Sequence, residues 1–100
     1  MTKEYIRSTH AIVHKGMARA DGRLTLSDAA LCFEPLNKQF GLGPYRIPLG
    51  DIAKVETYSL PPFIPEGIKV TLSDGSYRRF VMTDSKGWVV MLRETLAAQG

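Results

Sequence analysis

A disulfide within the chain is excluded at once, and so is a cysteine-based metal cage, because Cys32 is the single cysteine in 100 residues. A free thiol suits a reducing compartment, and cytoplasmic, with peripheral membrane contact left open, is the expected location. No apolar run of signal-peptide length follows Met1, and none approaches the roughly 20 residues of a membrane-spanning helix. Internal repeats, low-complexity tracts and linkers are also absent. One domain over residues 1–100 accounts for the length, with residues 1–9 expected to be loosely ordered. A chain of this size buries roughly 60–70 % of its unfolded surface and needs no covalent staple.

Charge of one sign is scarce too. The net charge of +3 is small for a nucleic-acid binder, and the nine aromatic residues read as core and loop rather than as an exposed stacking strip. The excess has a location, however. Residues 1–25 hold five basic groups (Lys3, Arg7, Lys15, Arg19, Arg23) against two acidic ones (Glu4, Asp21), and the remainder is balanced.

What is present is a succession of short alternating segments. A first strand is expected over Ala11–Ala18, a turn at Asp21-Gly22, and a second strand over Arg23–Leu26. Ser27-Asp28 turns into a third strand, Ala30–Glu34, in which Leu31 and Phe33 share a face. A loop over 36–44 leads to Tyr45–Leu49, where Pro48 removes a ladder donor and predicts an edge position. Gly50-Asp51 turns into Ile52–Leu60. Three prolines in Pro61-Pro62-Phe63-Ile64-Pro65 argue against a regular ladder there. Gly67–Leu72 follows, then a hairpin signal at Asp74-Gly75, then Ser76–Met82. A helix starting near Thr83-Asp84-Ser85 and running to about Gln99 carries Val89, Leu92 and Leu96 as an apolar stripe, flanked by Trp88 and Met91. Seven strands and one terminal amphipathic helix have a natural packing solution. The sheet curls into a partly open barrel, and the helix caps one end.

The same residues resemble a known family. Gly22-Arg23-Leu24-Thr25-Leu26-Ser27-Asp28, Ala30-Leu31-Cys32-Phe33-Glu34-Pro35, Ile47-Pro48-Leu49-Gly50-Asp51-Ile52, Gly67 to Gly75, and the Phe80…Trp88…Leu92 end together look like the GRAM family of the pleckstrin-homology superfamily, in a stand-alone small form. The resemblance covers about residues 10–96. It implies a mainly β barrel plus helix and a binding role toward membrane phosphoinositides or proteins. The basic pair that phosphoinositide-binding relatives carry on the first hairpin is missing, since Lys15, Arg19 and Arg23 are spaced by four.

Two candidate surfaces result. Lys15, Arg19 and Arg23 flank the first hairpin and offer an anion or lipid-headgroup site; the plainer alternative is a solvated hairpin. Phe40 and Leu42 in one loop, and Phe63 and Ile64 in another, put large apolar groups where loops are usually polar. They point to a protein or peptide partner, self-association or membrane insertion, or else they fold back as lids on a small core. No catalytic set is legible: there is no nucleophile–base pair, and Asp21, Asp28, Asp51 and Asp74 all sit at turns. No cofactor or metal is expected, since His10 and His14 lie roughly 13 Å apart along one strand face. Cys32 faces away from Leu31 and Phe33 and reads as a small filler. The expected function is non-catalytic binding, of a protein partner or a second copy through the apolar loops, or of anionic lipid through the hairpin. Arg78 shares a face with Phe80, so it is expected near a barrel end with an acidic partner.

Overall fold

The computed structural model describes residues 5–15, 18–36, 43–60 and 64–99. Seven strands form one antiparallel sheet: β1 (Tyr5–Lys15), β2 (Ala18–Ser27), β3 (Ala30–Pro35), β4 (Tyr45–Pro48), β5 (Ile52–Leu60), β6 (Ile64–Leu72) and β7 (Tyr77–Val81). Helix α1 (Ser85–Gln99) follows. The spatial order is β4-β3-β2-β1-β7-β6-β5. The two edge strands are consecutive in the chain and joined only by a 3-10 turn at Leu49–Asp51, so the sheet must curl to bring its ends together. Pro48 lies on edge strand β4, where its missing N–H costs no ladder bond inside the sheet.

Period-two alternation supplies the interior. Leu24 and Leu26 of β2, Leu31 and Phe33 of β3, Ile68 and Val70 of β6 and Phe80 of β7 are fully or nearly fully buried. Helix α1 packs on β5, β6 and the 3-10 turn, and buries Trp88, Val89 and Leu92, with Met91 and Leu96 partly covered.

Three expectations need correction. Asp21-Gly22 is not a turn. Both residues lie inside β2, opposite Ile12 and Ala11, and the chain reverses between Lys15 and Ala18. Glycine is required at position 22 for another reason: a β-carbon there would sit 2.3 Å from the Glu34 carbonyl oxygen and 2.6 Å from Cζ of Phe33. The first strand also begins at Tyr5 rather than Ala11. Finally, β6 starts at Ile64 and includes Pro65. The ladder tolerates it through an irregular register between Tyr58 and Leu60 of β5.

The turns at Ser27-Asp28 and Asp74-Gly75 form as expected. Ser27 Oγ accepts the N–H groups of Ala29 and Ala30. Gly75 has φ of 91°, and Asp74 accepts both the N–H and the hydroxyl of Ser76. Those hydrogen bonds, the side-chain one first, hold the Asp74 carboxyl below the usual carboxylate range. Arg78 stacks over Tyr45 at 5.2 Å and donates to the Tyr77 carbonyl. The Tyr45 ring is an added partner, and the Arg78 charge also helps to hold the nearby Asp74 carboxyl low, after the Ser76 hydrogen bonds.

Asp84 caps the helix. Its carbonyl accepts the N–H of Trp88 at 3.0 Å, and its carboxylate accepts the N–H of Gly87 and meets Arg7 at 2.9 Å. Its φ is 58°, a left-handed conformation that Asp tolerates better than most residues. Gly87 leaves room for the carboxylate, which a β-carbon would meet at 2.3 Å. Asp84→Ala should therefore cost about 1–2 kcal/mol in thermal unfolding, and Asp84→Gly less than about 1 kcal/mol. Equal losses would show that the side-chain cap, not the backbone conformation, dominates.

Candidate functional site: a basic row on the outer sheet face

The outward side chains of β1, β2, β6 and β7 follow from the same alternation that fills the core. Where Ala11 and Val13 of β1 point in, His10, Ile12 and His14 point out. The strand register then sets which outward residues meet. Arg19 of β2 pairs with His14 of β1, His14 with Arg79 of β7, and Arg79 with Lys69 of β6. Four basic side chains thus form a single row across four adjacent strands, with Glu56 of β5 at its far end. Strands lie about 4.8 Å apart, so the row from Glu56 to Arg19 spans roughly 19 Å.

Arg79 is the most constrained member. Its guanidinium lies between two aromatic rings, 5.2 Å from the Tyr58 centroid and 4.9 Å from that of Tyr77. It donates to the Tyr58 hydroxyl at 2.8 Å and to the Tyr77 hydroxyl at 3.0 Å. The Tyr58 hydrogen bond is the main reason its pKa is raised further above the ordinary arginine value. Lys69 Nζ sits 4.7 Å from the Tyr77 centroid. Tyr58 faces Gly67 in the register, so no side chain at position 67 intervenes between it and β7. Glu56, Thr57, Tyr58, Lys69, Tyr77 and Arg79 enclose a shallow cavity of about 320 Å³.

His14 has both neighbours positively charged. Partial burial, then Arg19, then Arg79 push its pKa below the usual histidine value. His10, on the same face, meets Asp21 at 3.4 Å instead. Among the described residues, no group of three histidine, cysteine or acidic side chains could hold a metal ion.

The residues singled out from sequence divide. Arg19 joins the row. Arg23 does not lie at a hairpin tip; it sits opposite His10 and Glu34 and donates to Ser8 Oγ at 3.1 Å, in a mixed-charge neighbourhood. Lys15 ends β1 opposite Ala18. Phe40, Leu42 and Phe63 lie outside the described residues, and Ile64 opens β6. Sequence reading missed Lys69 and Arg79. The signal available was two adjacent arginines on a strand next to tyrosines, one of which had to face outward.

A second concavity of about 440 Å³ lies beside the row, between β1, the end of β7 and the helix start, and is lined by Ile12, Val81 and Met82 among others. Its one carboxylate, Glu66, accepts the hydroxyl of Ser85 at 3.0 Å. Among the described residues no helix is long and apolar enough to cross a membrane.

No family model matches the sequence, and no curated protein does. Solved structures do. The C-terminal domain of an unknown protein from Leishmania infantum superposes with a TM-score of 0.79 at 14% identity, over 95% of this chain and 85% of that one. The Vps36 N-terminal PH domain gives a TM-score of 0.74 at 14% identity, over 96% and 80%. The N-terminal PH domain of human ARAP2 gives 0.69 at 14% identity, over 94% and 81%. In the linker-DH/PH fragment of p115-RhoGEF the match covers 96% of this chain but 30% of the other, with a TM-score of 0.71 at 13% identity. Identities this low speak to fold alone, and the seven antiparallel strands with one C-terminal helix have the pleckstrin-homology-like fold.

Proposed function

We propose that this chain is a non-catalytic binding module, a member of the GRAM branch of its superfamily, that engages anionic membrane surfaces through the outer face of β2-β1-β7-β6. The observation that carries this is the register of Arg19, His14, Arg79 and Lys69 in one row. Scattered surface cations serve solubility, whereas aligned ones sum their fields over one patch and raise the local concentration of anions. Two tyrosine rings hold Arg79 in place, so little side-chain freedom is left to lose on binding.

Co-sedimentation with phosphatidylcholine vesicles, with and without phosphatidylglycerol, tests it. Binding should require the anionic lipid and weaken as salt rises. It should fall by on the order of tenfold or more in the Arg19→Ala, Arg79→Ala double variant. No binding at low salt would end this reading.

His14 gives a second readout. It faces Arg19 on β2 and Arg79 on β7, with Ile12 beside it on β1, and partial burial first, then these two cations, disfavour its protonated form. An anion over the row offsets the two cations, so binding favours the protonated form and should tighten as pH falls below the ordinary histidine value of 6.5. Phosphatidylglycerol keeps its charge over that range. In the free protein the sign reverses. The folded chain holds this proton less tightly than the unfolded one, so stability declines as pH drops below the ordinary value of 6.5.

Association with a protein partner or a second copy has one observation in its favour. Leu36 is 76% exposed where the chain enters the segment carrying Phe40 and Leu42. Light scattering decides between a monomer and a self-associated form.

A further inference from the structure

The cavity at the β5-β6-β7 end of the row has a donor arrangement that surface charge alone does not explain. Arg79 donates to the oxygens of both Tyr58 and Tyr77. A phenol oxygen that accepts in this way keeps its own proton for a third party. Tyr58 and Tyr77 therefore each have an O–H free to donate, at the wall of the same cavity as the Lys69 ammonium and the Arg79 guanidinium. Among the described residues neither Lys69 nor Arg79 has a carboxylate within ion-pair distance. The one acid on the wall, Glu56, is engaged by Lys54 at 3.7 Å.

The geometry points to a discrete oxyanion site here, which takes a phosphate monoester through the hydroxyls of Tyr58 and Tyr77 and the charges of Lys69 and Arg79. This rests on the reading that the outer face meets anions, and it names the group recognised. Two hydroxyls and two cationic groups supply more donors than a planar carboxylate uses, and suit a tetrahedral oxyanion. Two fixed positive charges match a dianion better than the single charge of a diester or a sulfate ester, and a phosphate monoester is mostly dianionic above its second pKa of about 6. A lipid headgroup and a soluble molecule can both carry the monoester, and the site reads the same group in each.

Titration of the full chain with methyl phosphate at pH about 7.5, followed by amide and tyrosine-ring NMR shifts, tests the site. Saturable shifts centred on Tyr58, Lys69, Tyr77 and Arg79 are expected, with methyl sulfate weaker. The Tyr58→Phe, Tyr77→Phe double variant keeps every ring and every charge and should bind methyl phosphate about tenfold more weakly. Its loss of affinity for methyl phosphate should exceed its loss for phosphatidylglycerol vesicles, because both rings still flank Arg79 while the two hydroxyl donors are gone; that ratio separates this site from the general attraction of the face. Glu56→Gln should tighten binding by about two- to fivefold, by removing a like charge from the wall. Should the double variant unfold, Lys69→Gln is the substitute and must also weaken binding.

Vesicles of phosphatidylcholine with phosphatidate, compared with phosphatidylglycerol at equal surface charge, identify the source. A phosphatidate preference lost in the double variant assigns a headgroup, and an intact titration without that preference assigns a soluble monoester. Shifts that do not saturate, or a double variant that binds methyl phosphate as the wild type does, would overturn the site. Because soluble methyl phosphate reads it without a membrane, failure of vesicle binding and failure of this site are separate results.

Discussion

Trp88→Ala is expected to lower the free energy of unfolding by about 3–5 kcal/mol, a large share of the roughly 5–15 kcal/mol that holds a domain of this size. The indole is fully buried in the cluster that includes Phe33, Phe80, Val89 and Leu92, and truncating it leaves a void that rigid strand backbones cannot close. Arg7 covers the ring at 5.1 Å while it pairs with Asp84, so the cap of the helix and the lid over the ring are one unit. Among the described residues the indole N–H has no hydrogen-bond partner. Trp88→Phe removes that unmet donor along with some volume, and should cost only about 1–2 kcal/mol. Trp88 is the only tryptophan, so urea unfolding must be followed by far-ultraviolet circular dichroism. A loss below about 1 kcal/mol for Trp88→Ala would mean that α1 does not seal the barrel.

Gly67→Ala is expected to be nearly as damaging, on the order of 3 kcal/mol or more, although it adds a single methyl group. A β-carbon at position 67 would lie 2.2 Å from the Phe80 carbonyl oxygen and 3.0 Å from the Val81 α-carbon. Both are backbone atoms of β7, and they cannot retreat unless the β6–β7 ladder opens. That ladder sets Lys69 beside Arg79, so the substitution should also weaken anion binding in whatever fraction still folds. Gly50→Ala is the control: nothing lies within 4 Å of its added carbon, and its effect on the melting temperature should be negligible. Comparable losses at the two positions would show that the close approach of β7 is not what makes glycine necessary at 67.

Local chemistry was legible wherever one cause dominated. Leu31 and Phe33 alternate because β3 is half buried. Pro48 marked an edge because a central strand cannot spare the donor. The helix span and its buried face followed from the spacing of Trp88, Val89 and Leu92. Reading failed where one residue has two uses. Asp21-Gly22 looks like a tight turn, but Gly22 is there because the ring of Phe33 and the backbone of β3 come too close for any side chain. Pro65 correctly signalled the lack of a regular ladder, since the register shifts between Tyr58 and Leu60, but β6 still runs through it from Ile64. Gly87 has a use that helix propensity does not show, since it makes room for the capping carboxylate of Asp84.

The site shows the same division more sharply. The amino-acid order by itself determined which side chains face in and which face out, because that depends only on alternation along each strand. It put Arg19 beside the first hairpin and located the basic excess in residues 1–25. Only the tertiary structure decided that Arg19, His14, Arg79 and Lys69 share a row. That depends on the pairing of β1 with β7, strands at opposite ends of the sequence, and on a register that a one-residue slip would turn inside out. Hydrogen bonding between distant segments carries no periodic signature, so a cluster assembled across strands is visible only once they are paired.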